Sequence, residues 1–173
     1  FGGMGLVILN RDEPCCKPAC KKIIIDDLVA HRSATLVPPV QAELEAAGYQ
    51  AQAYVRDINL FYFHGNQRER IDQDEEGYFL VESLQRFTRQ ELLNLAEQHP
   101  ERFSPNVILR PLYQETIVPN LAYIGGGGEL AYWLERKRQF DFYGLPFPML
   151  VRRNSAAWLD QHAQASIRKG GLP

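Results

Sequence analysis

The strongest chemical feature of the sequence is the stretch Leu121-Ala-Tyr-Ile-Gly-Gly-Gly-Gly-Glu129, which reads as strand, glycine loop and helix start. Gly125, Gly126, Gly127 and Gly128 let a backbone approach a ligand closely. A helix beginning there offers free amides and partial positive charge, which suit phosphate or carboxylate. The loop is not a Walker A motif, because no Gly-Lys-Ser/Thr follows. Gly126, Gly128 and Ala131 formally fit G-x-G-x-x-A, but no second strand ends in an acidic residue at the distance that holds a ribose. Glu129 is the candidate catalytic residue. A carboxylate in the first helical turn repels an anion placed against it and suits an ammonium group, a hydroxyl or proton transfer. On the residues alone, an equal alternative is that Glu129 only favours the helix dipole and the glycines only make a tight turn.

Other candidates stand at strand ends. Arg110 can fork a carboxylate or phosphate, with Gln114 close behind it; a surface ion pair is the plainer role. Arg56-Asp57-Ile58-Asn59 reads as a bend in which Asn59 either donates to a ligand or satisfies the turn. Arg152-Arg153-Asn154-Ser155 follows the last strand; there Arg152 and Asn154 are ligand-facing candidates, and a helix cap by Asn154 or Ser155 is the alternative. Cys15, Cys16 and Cys20, with His31, do not match a zinc spacing, so no metal is expected. An odd, clustered set of thiols points to a reducing cytoplasm rather than to a disulfide framework.

These residues need a scaffold, and 173 residues are enough for one domain with a real core. Hydrophobic residues at 45% and charged residues at 23% exclude a disordered chain or a collagen-like fibre. A net charge of -2 argues against a nucleic-acid platform, and no apolar run has the length of a membrane span. Gly5–Leu9 reads as a buried strand, residues 16–32 as helical, and Pro38-Pro39 as a helix start with Gly48 as its C-cap. Strands are expected at Gln50–Val55, Val107–Leu109, Leu121–Ile124 and Phe147–Val151. Residues 58–82 read as an antiparallel meander, a small lobe inserted in the core. Thr88-Arg-Gln-Glu91 is a capping box, with Phe87 and Leu92 at the staple positions. Helices follow at residues 113–119 and from Glu129, and 161–173 reads as a polar tail. Strands alternating with helices predict an α/β fold: a mainly parallel sheet with helices on both faces, with ligands at the carboxyl ends of its strands.

Several stretches together resemble the bacillithiol-synthesis cysteine-adding enzyme family. They are Arg56-Asp-Ile-Asn-Leu-Phe-Tyr62, Phe103-Ser-Pro-Asn-Val-Ile-Leu-Arg-Pro-Leu-Tyr-Gln-Glu-Thr116, Pro119-Asn-Leu-Ala-Tyr-Ile-Gly-Gly-Gly-Gly-Glu-Leu-Ala-Tyr-Trp133 and Leu150-Val-Arg-Arg-Asn-Ser155, in register over residues 1–160. The resemblance implies a Rossmann-like core with connecting-peptide insertions. It also implies a ligase that joins the carboxyl of cysteine to the amine of glucosaminyl-malate, giving bacillithiol, with ATP as the expected activator. The family's first nucleotide-site motif and its dimerising coiled coil lie outside these residues, so the chain is expected to be part of a longer, dimeric protein and inactive alone. The family's motifs do not use the three cysteines. Two alternatives remain on the sequence: a non-catalytic module for a nucleotide or dicarboxylate, and a thiol or metal sensor.

Overall fold

The computed structural model describes residues 2–6, 8, 13–156 and 160–170. After a 3-10 turn at Pro14–Cys20 come helices α1 (Lys21–Ala30) and α2 (Arg32–Ala46). A sheet follows, built from β1 (Leu60–His64), β2 (Gln67–Asp74), β3 (Gly77–Leu80), β4 (Arg86–Phe87) and, after helix α3 (Arg89–Gln98), β5 (Phe103–Pro105). Its order is β4-β3-β2-β1-β5 and every pairing is antiparallel. Helix α4 (Arg110–Ile117) leads to a unit of β6 (Ala122–Gly125), α5 (Gly127–Leu134), α6 (Lys137–Tyr143) and β7 (Met149–Arg152), in which β6 and β7 pair in parallel. Helix α7 (Gln161–Lys169) closes the described chain.

The expected mainly parallel sheet is therefore corrected. The main sheet is antiparallel, and parallel pairing is confined to β6 and β7. Connection length explains the division. Two-residue turns at Gly65-Asn66 and Glu75-Glu76 can only fold a strand back on itself, whereas β6 and β7 are separated by two helices. The 58–82 segment is accordingly no inserted lobe. It supplies three strands of the central sheet.

Register sorts the sheet's residues by face. Leu60, Ile71 and Leu80 form one buried row, since Leu60 continues the β1–β2 register and Ile71 pairs with Leu80. They pack with Ile24 and Leu28 of α1 and Leu92 of α3 in one core. The other face interleaves arginines with aromatics: Arg68 lies over the Phe61 ring at 3.6 Å and Arg86 over Phe79 at 5.5 Å. One dry face and one wet face is the ordinary state of an antiparallel sheet.

Several local expectations need correction. Residues 50–55 and 107–109 form no strand; the strand near the latter is Phe103–Pro105. Pro38 and Pro39 do not start a helix but lie inside α2. Both are exposed, so the carbonyls they leave unpaired stand on the water side, where the helix tolerates the loss. Gly48 does end α2: its φ is +89°, its N–H bonds Glu45 O and the Tyr49 N–H bonds Leu44 O, a Schellman pattern. The expected tail contains α7, capped by the Asp160 carboxylate on Ala163 N–H at 2.7 Å. Of the strand expected at Gly5–Leu9, Val7 and Leu9 lie outside the described residues, and Leu6 and Ile8 are exposed and outside any strand.

The Thr88 capping box is complete, with Glu91 N–H donating to Thr88 Oγ1 at 3.2 Å and Thr88 N–H to Glu91 Oε2 at 2.8 Å. Thr88→Ala should cost about 1 kcal/mol in urea denaturation, with the slope unchanged. A cost near zero would show that packing of Leu92 alone holds α3.

Candidate functional site

The glycine loop lies where the sequence places it, at the carboxyl end of a parallel strand and at the start of a helix, but that strand belongs to the small sheet. Nor is it a buried strand: Leu121 is 94% and Ile124 67% exposed. Its inward residue, Tyr123, stacks on Trp133 at 4.2 Å between centroids, and Trp133 in turn packs on Phe140 and Phe147. This aromatic block fixes the floor of the loop.

Gly126 is the N-cap of α5, with φ -71° and ψ 167°, a conformation open to any residue. Glu129 Oε2 accepts the Gly126 N–H at 2.8 Å, which reproduces half of the box seen at Thr88. The other half cannot form, because glycine has no side chain to accept the Glu129 N–H. At α3 a hydroxyl fills that position; at α5 no side chain caps the first-turn amides of Gly127, Gly128 and Glu129. A Cβ at Gly127 would meet nothing within 4 Å, so the approach to these amides is open. An uncapped helix start of this kind takes an anion.

Cationic and phenolic groups surround it. The Arg153 guanidinium lies 3.3 Å from where a Gly126 Cβ would stand, and Arg153 N–H bonds Gly125 O at 2.9 Å. Arg110 donates to the Tyr132 hydroxyl and, at 3.2 Å, to Gln114 Oε1. Tyr123 borders both Arg110 and Glu129, its hydroxyl 3.5 Å from Glu129 Oε1. The Gly126 amide, followed by Arg153, Tyr123 and Arg110, holds the Glu129 carboxyl below the usual range, while burial pushes the Tyr132 phenol up. Glu129 is thus an anion at neutral pH and a weak base. It is suited to holding an ammonium group more than to removing its proton.

The structure brings Gly125, Gly126, Gly127, Glu129, Arg110 and Gln114 to one end of the small sheet. Gly128 faces Gln52, whose Oε1 is 3.4 Å from a Cβ position there. Arg152 stands on the other side of the helix start, in a cavity of about 380 Å³ bordered by Leu44, Tyr49, Gly127 and Leu130. Asn154 is exposed beyond the strand end. Asn59 is fully buried. Its N–H donates to Asp27 Oδ2 at 2.6 Å, its Nδ2 to Arg56 O at 2.7 Å, and its Oδ1 accepts from Arg56 N–H and Asn106 Nδ2, so its side chain serves the bend and the core. Sequence reasoning missed Tyr123 and Arg153. Alternation along β6 puts Tyr123 on the same side as Gly125, and the same rule, carried one residue past β7 by the Arg153 N–H bond to Gly125 O, separates Arg153 from Arg152.

Among the described residues no group of three or more His, Cys, Asp or Glu could hold a metal ion. Cys15, Cys16 and Cys20 are free thiols; burial pushes Cys20 up to about 12, so it is protonated and unreactive at neutral pH. No helix among the described residues is long and apolar enough to cross a membrane.

Comparison with known proteins identifies the family. The family model "Bacillithiol biosynthesis BshC, N-terminal Rossmann-like domain" matches residues 1–154. The protein named "Putative cysteine ligase BshC" in Flavobacterium psychrophilum is 46% identical over 169 residues, covering 98% of this chain and 32% of its own. Its namesake in Christiangramia forsetii is 47% identical over 156 residues, covering 90% and 29%. That of Chlorobium phaeobacteroides is 34% identical over 173 residues, covering 98% and 31%. The chain spans about a third of the length of the curated relatives it matches.

Proposed function

The chain belongs to the bacillithiol-biosynthesis BshC family through its N-terminal Rossmann-like domain, and on that premise we propose that its glycine-loop site serves a cysteine ligase. The reaction is amide formation between the carboxyl of cysteine and the amine of glucosaminyl-malate, in the reducing cytoplasm that a thiol product needs. The observation that carries this reading is the half-open cap of α5. Its uncapped amides beside Arg153 accept an anion, and Glu129 stands next to them to hold a cation. A carboxylate beside an ammonium group is the pair of charges that amide formation must bring together.

A free carboxylate is a poor electrophile, so its oxygen must become a leaving group. ATP, when bound, supplies that activation. The residues fit its anionic end: the Gly127 position faces open space, and Arg153 and Arg110 add positive charge that the Glu129 carboxylate beside them only partly offsets. The remaining steps belong to this chain's own groups. Glu129 orients the amine, and Arg110, braced by Tyr132 and Gln114, opposes negative charge as it grows on the carboxyl oxygen. The ammonium first gives one proton to solvent; as the freed nitrogen lone pair bonds the carboxyl carbon, the activated oxygen leaves with its electron pair, and the nitrogen then loses a second proton to solvent.

The test uses a protein of the relatives' full length carrying this sequence, assayed for cysteine-dependent consumption of glucosaminyl-malate. Glu129→Gln should lower kcat/KM roughly tenfold, about 1.4 kcal/mol, with the melting temperature nearly unchanged. Gln keeps an acceptor for Gly126 N–H but loses the charge. Full activity in that variant would reduce Glu129 to a helix-capping residue, and a protein without amide-forming activity would remove the ligase reading.

A further inference from the structure

The turn at Pro14–Cys20 carries three thiols, and the ligase reading uses none of them. Cys15 is exposed and Cys16 half-buried, with their sulfurs 3.9 Å apart. Cys20 belongs to the core and has no exposed surface. The segment that holds the pair is fixed. Pro14 opens the turn and Pro18 lies within it, so two of its φ angles are locked. Lys17, between the two prolines, is fully buried. Its Nζ donates to Phe103 O at 2.9 Å and stands 5.5 Å from the centre of the Tyr113 ring. The two thiols are thus clamped against β5 and α4, and a clamped pair loses little freedom when both members bind one atom.

The same geometry works against direct oxidation. The Cys15–Cys16 peptide is trans, which sets the two Cα atoms about 3.8 Å apart. An unstrained disulfide asks for about 4.4–6.8 Å. One large atom between the sulfurs relieves the misfit. Two bonds of about 2.3 Å from one soft centre, the length of a zinc–thiolate bond, reach across 3.9 Å. A closed zinc site takes four ligands, and among the described residues no third His, Cys, Asp or Glu joins the pair. Burial, the neighbouring Cys15 and Glu13 push the Cys16 thiol up, so it is a neutral S–H at neutral pH. A divalent cation must displace both protons, whereas a centre that condenses with neutral thiols pays no such penalty.

We propose that Cys15 and Cys16 form a dithiol site that captures a trivalent arsenical, R–As(OH)2, through both sulfurs. Each sulfur lone pair forms an As–S bond as an As–O bond breaks with its electron pair. Each departing hydroxide takes the S–H proton and leaves as water. Arsenic stays trivalent and nothing is oxidised or reduced. The site is separate from the glycine loop and stands whether or not the ligase reading does.

Phenylarsine oxide, which hydrates to this form, tests the site when titrated into the reduced 173-residue chain, with intact mass and a thiol count as readouts. One phenylarsenic group should bind per chain, and the free thiols should fall from three to one. Cys15→Ser and Cys16→Ser should each raise the half-saturating concentration roughly a hundredfold or more, because a lone thiol loses the second, intramolecular bond. Cys20→Ala should leave it unchanged. The complex should survive excess mercaptoethanol and be stripped by dithiothreitol, which offers two thiols of its own. Thermal melting of each variant verifies the fold, and Cys15→Ser removes the pair at an exposed position without touching the core. No capture by the wild-type chain, or capture as tight in Cys15→Ser as in wild type, overturns the site. Capture that is lost in a folded Cys20→Ala protein would assign the arsenical to the buried thiol and overturn it as well.

Discussion

Gly125→Val should destabilise the chain by about 2–3 kcal/mol, with its denaturation slope unchanged, and should displace Tyr123 from the site. The cause is space, not backbone conformation. A Cβ at Gly125 would stand 2.8 Å from Tyr123 Cε1 and 3.3 Å from both Glu129 Cβ and Leu130 Cδ2. Tyr123 cannot retreat inward, because its ring is stacked on the fully buried Trp133, which Phe140 and Phe147 back. It must swing to solvent, losing the stack and its contact with Glu129. A valine adds two further methyl groups to that conflict. The neighbouring glycines set the scale. Gly126→Val meets the flexible Arg153 guanidinium at 3.3 Å and should cost less stability while obstructing anion access. Gly127→Ala meets nothing and should be neutral or stabilising by up to about 1 kcal/mol. Urea titrations of the three variants give the order directly. A Gly125→Val protein as stable as wild type would mean that Tyr123 is not held against Trp133.

The glycine loop was legible in the sequence because its signals are local. Four glycines after an apolar run and before an amphipathic one can hardly be read otherwise, and Thr88-x-x-Glu91 is equally self-contained. The sheet was harder to read. Alternating strands and helices point to parallel pairing, but pairing direction depends on which strands meet, and the short turns at Gly65-Asn66 and Glu75-Glu76 committed β1, β2 and β3 to hairpins. Those turns are visible in the sequence. That the hairpins recruit Phe103–Pro105 and become the main sheet is a long-range fact that no local pattern carries. The same limit explains Asn59. A polar residue in a bend reads as exposed, and only the packing of α1 under the bend reveals that its N–H meets a buried carboxylate. Arg110 and Tyr132, 22 positions apart, likewise meet only in the fold.

That buried carboxylate, Asp27, should be the most costly single side chain to remove. It lies inside α1 with no exposed surface. Ser33 Oγ donates to its Oδ1 at 2.6 Å, Asn59 N–H donates to its Oδ2 at 2.6 Å, and Ser33 Oγ itself accepts from Gln139 Nε2 at 3.0 Å. One carboxylate therefore ties together α1, α2, α6 and the entry to β1. Asp27→Ala leaves two buried donors without their acceptor and should cost about 2–4 kcal/mol. Because Asn59 holds Asn106, and Asn106 O receives the Arg110 N–H, the same change should loosen the start of α4 and weaken anion binding there. The charge itself works against folding. Burial pushes Asp27 up to about 6 from 3.8, opposed by the bonds from Ser33 and Asn59, and the nearby Tyr143 phenol is raised by burial and by Asp26 and Asp27 together. A folded-state value above the unfolded one favours the native state most below the unfolded value. That contribution is lost as pH rises through about 6. Between pH 4 and pH 7, Asp27 should thus lower the unfolding free energy by up to about 3 kcal/mol. Glu129, Glu69, Glu91 and Asp74 are shifted down and slope the other way, but at more acid pH. Asp27→Asn isolates the effect. Its oxygen can take the Asn59 N–H and its amide can donate to Ser33 Oγ, so the network survives without a titrating group. Urea midpoints from pH 5 to pH 7.5 should fall for wild type and stay flatter for Asp27→Asn. Parallel curves would show that Asp27 keeps an ordinary carboxyl in the folded chain, and a fully stable Asp27→Ala protein would remove it as the tie between the helices and Arg110.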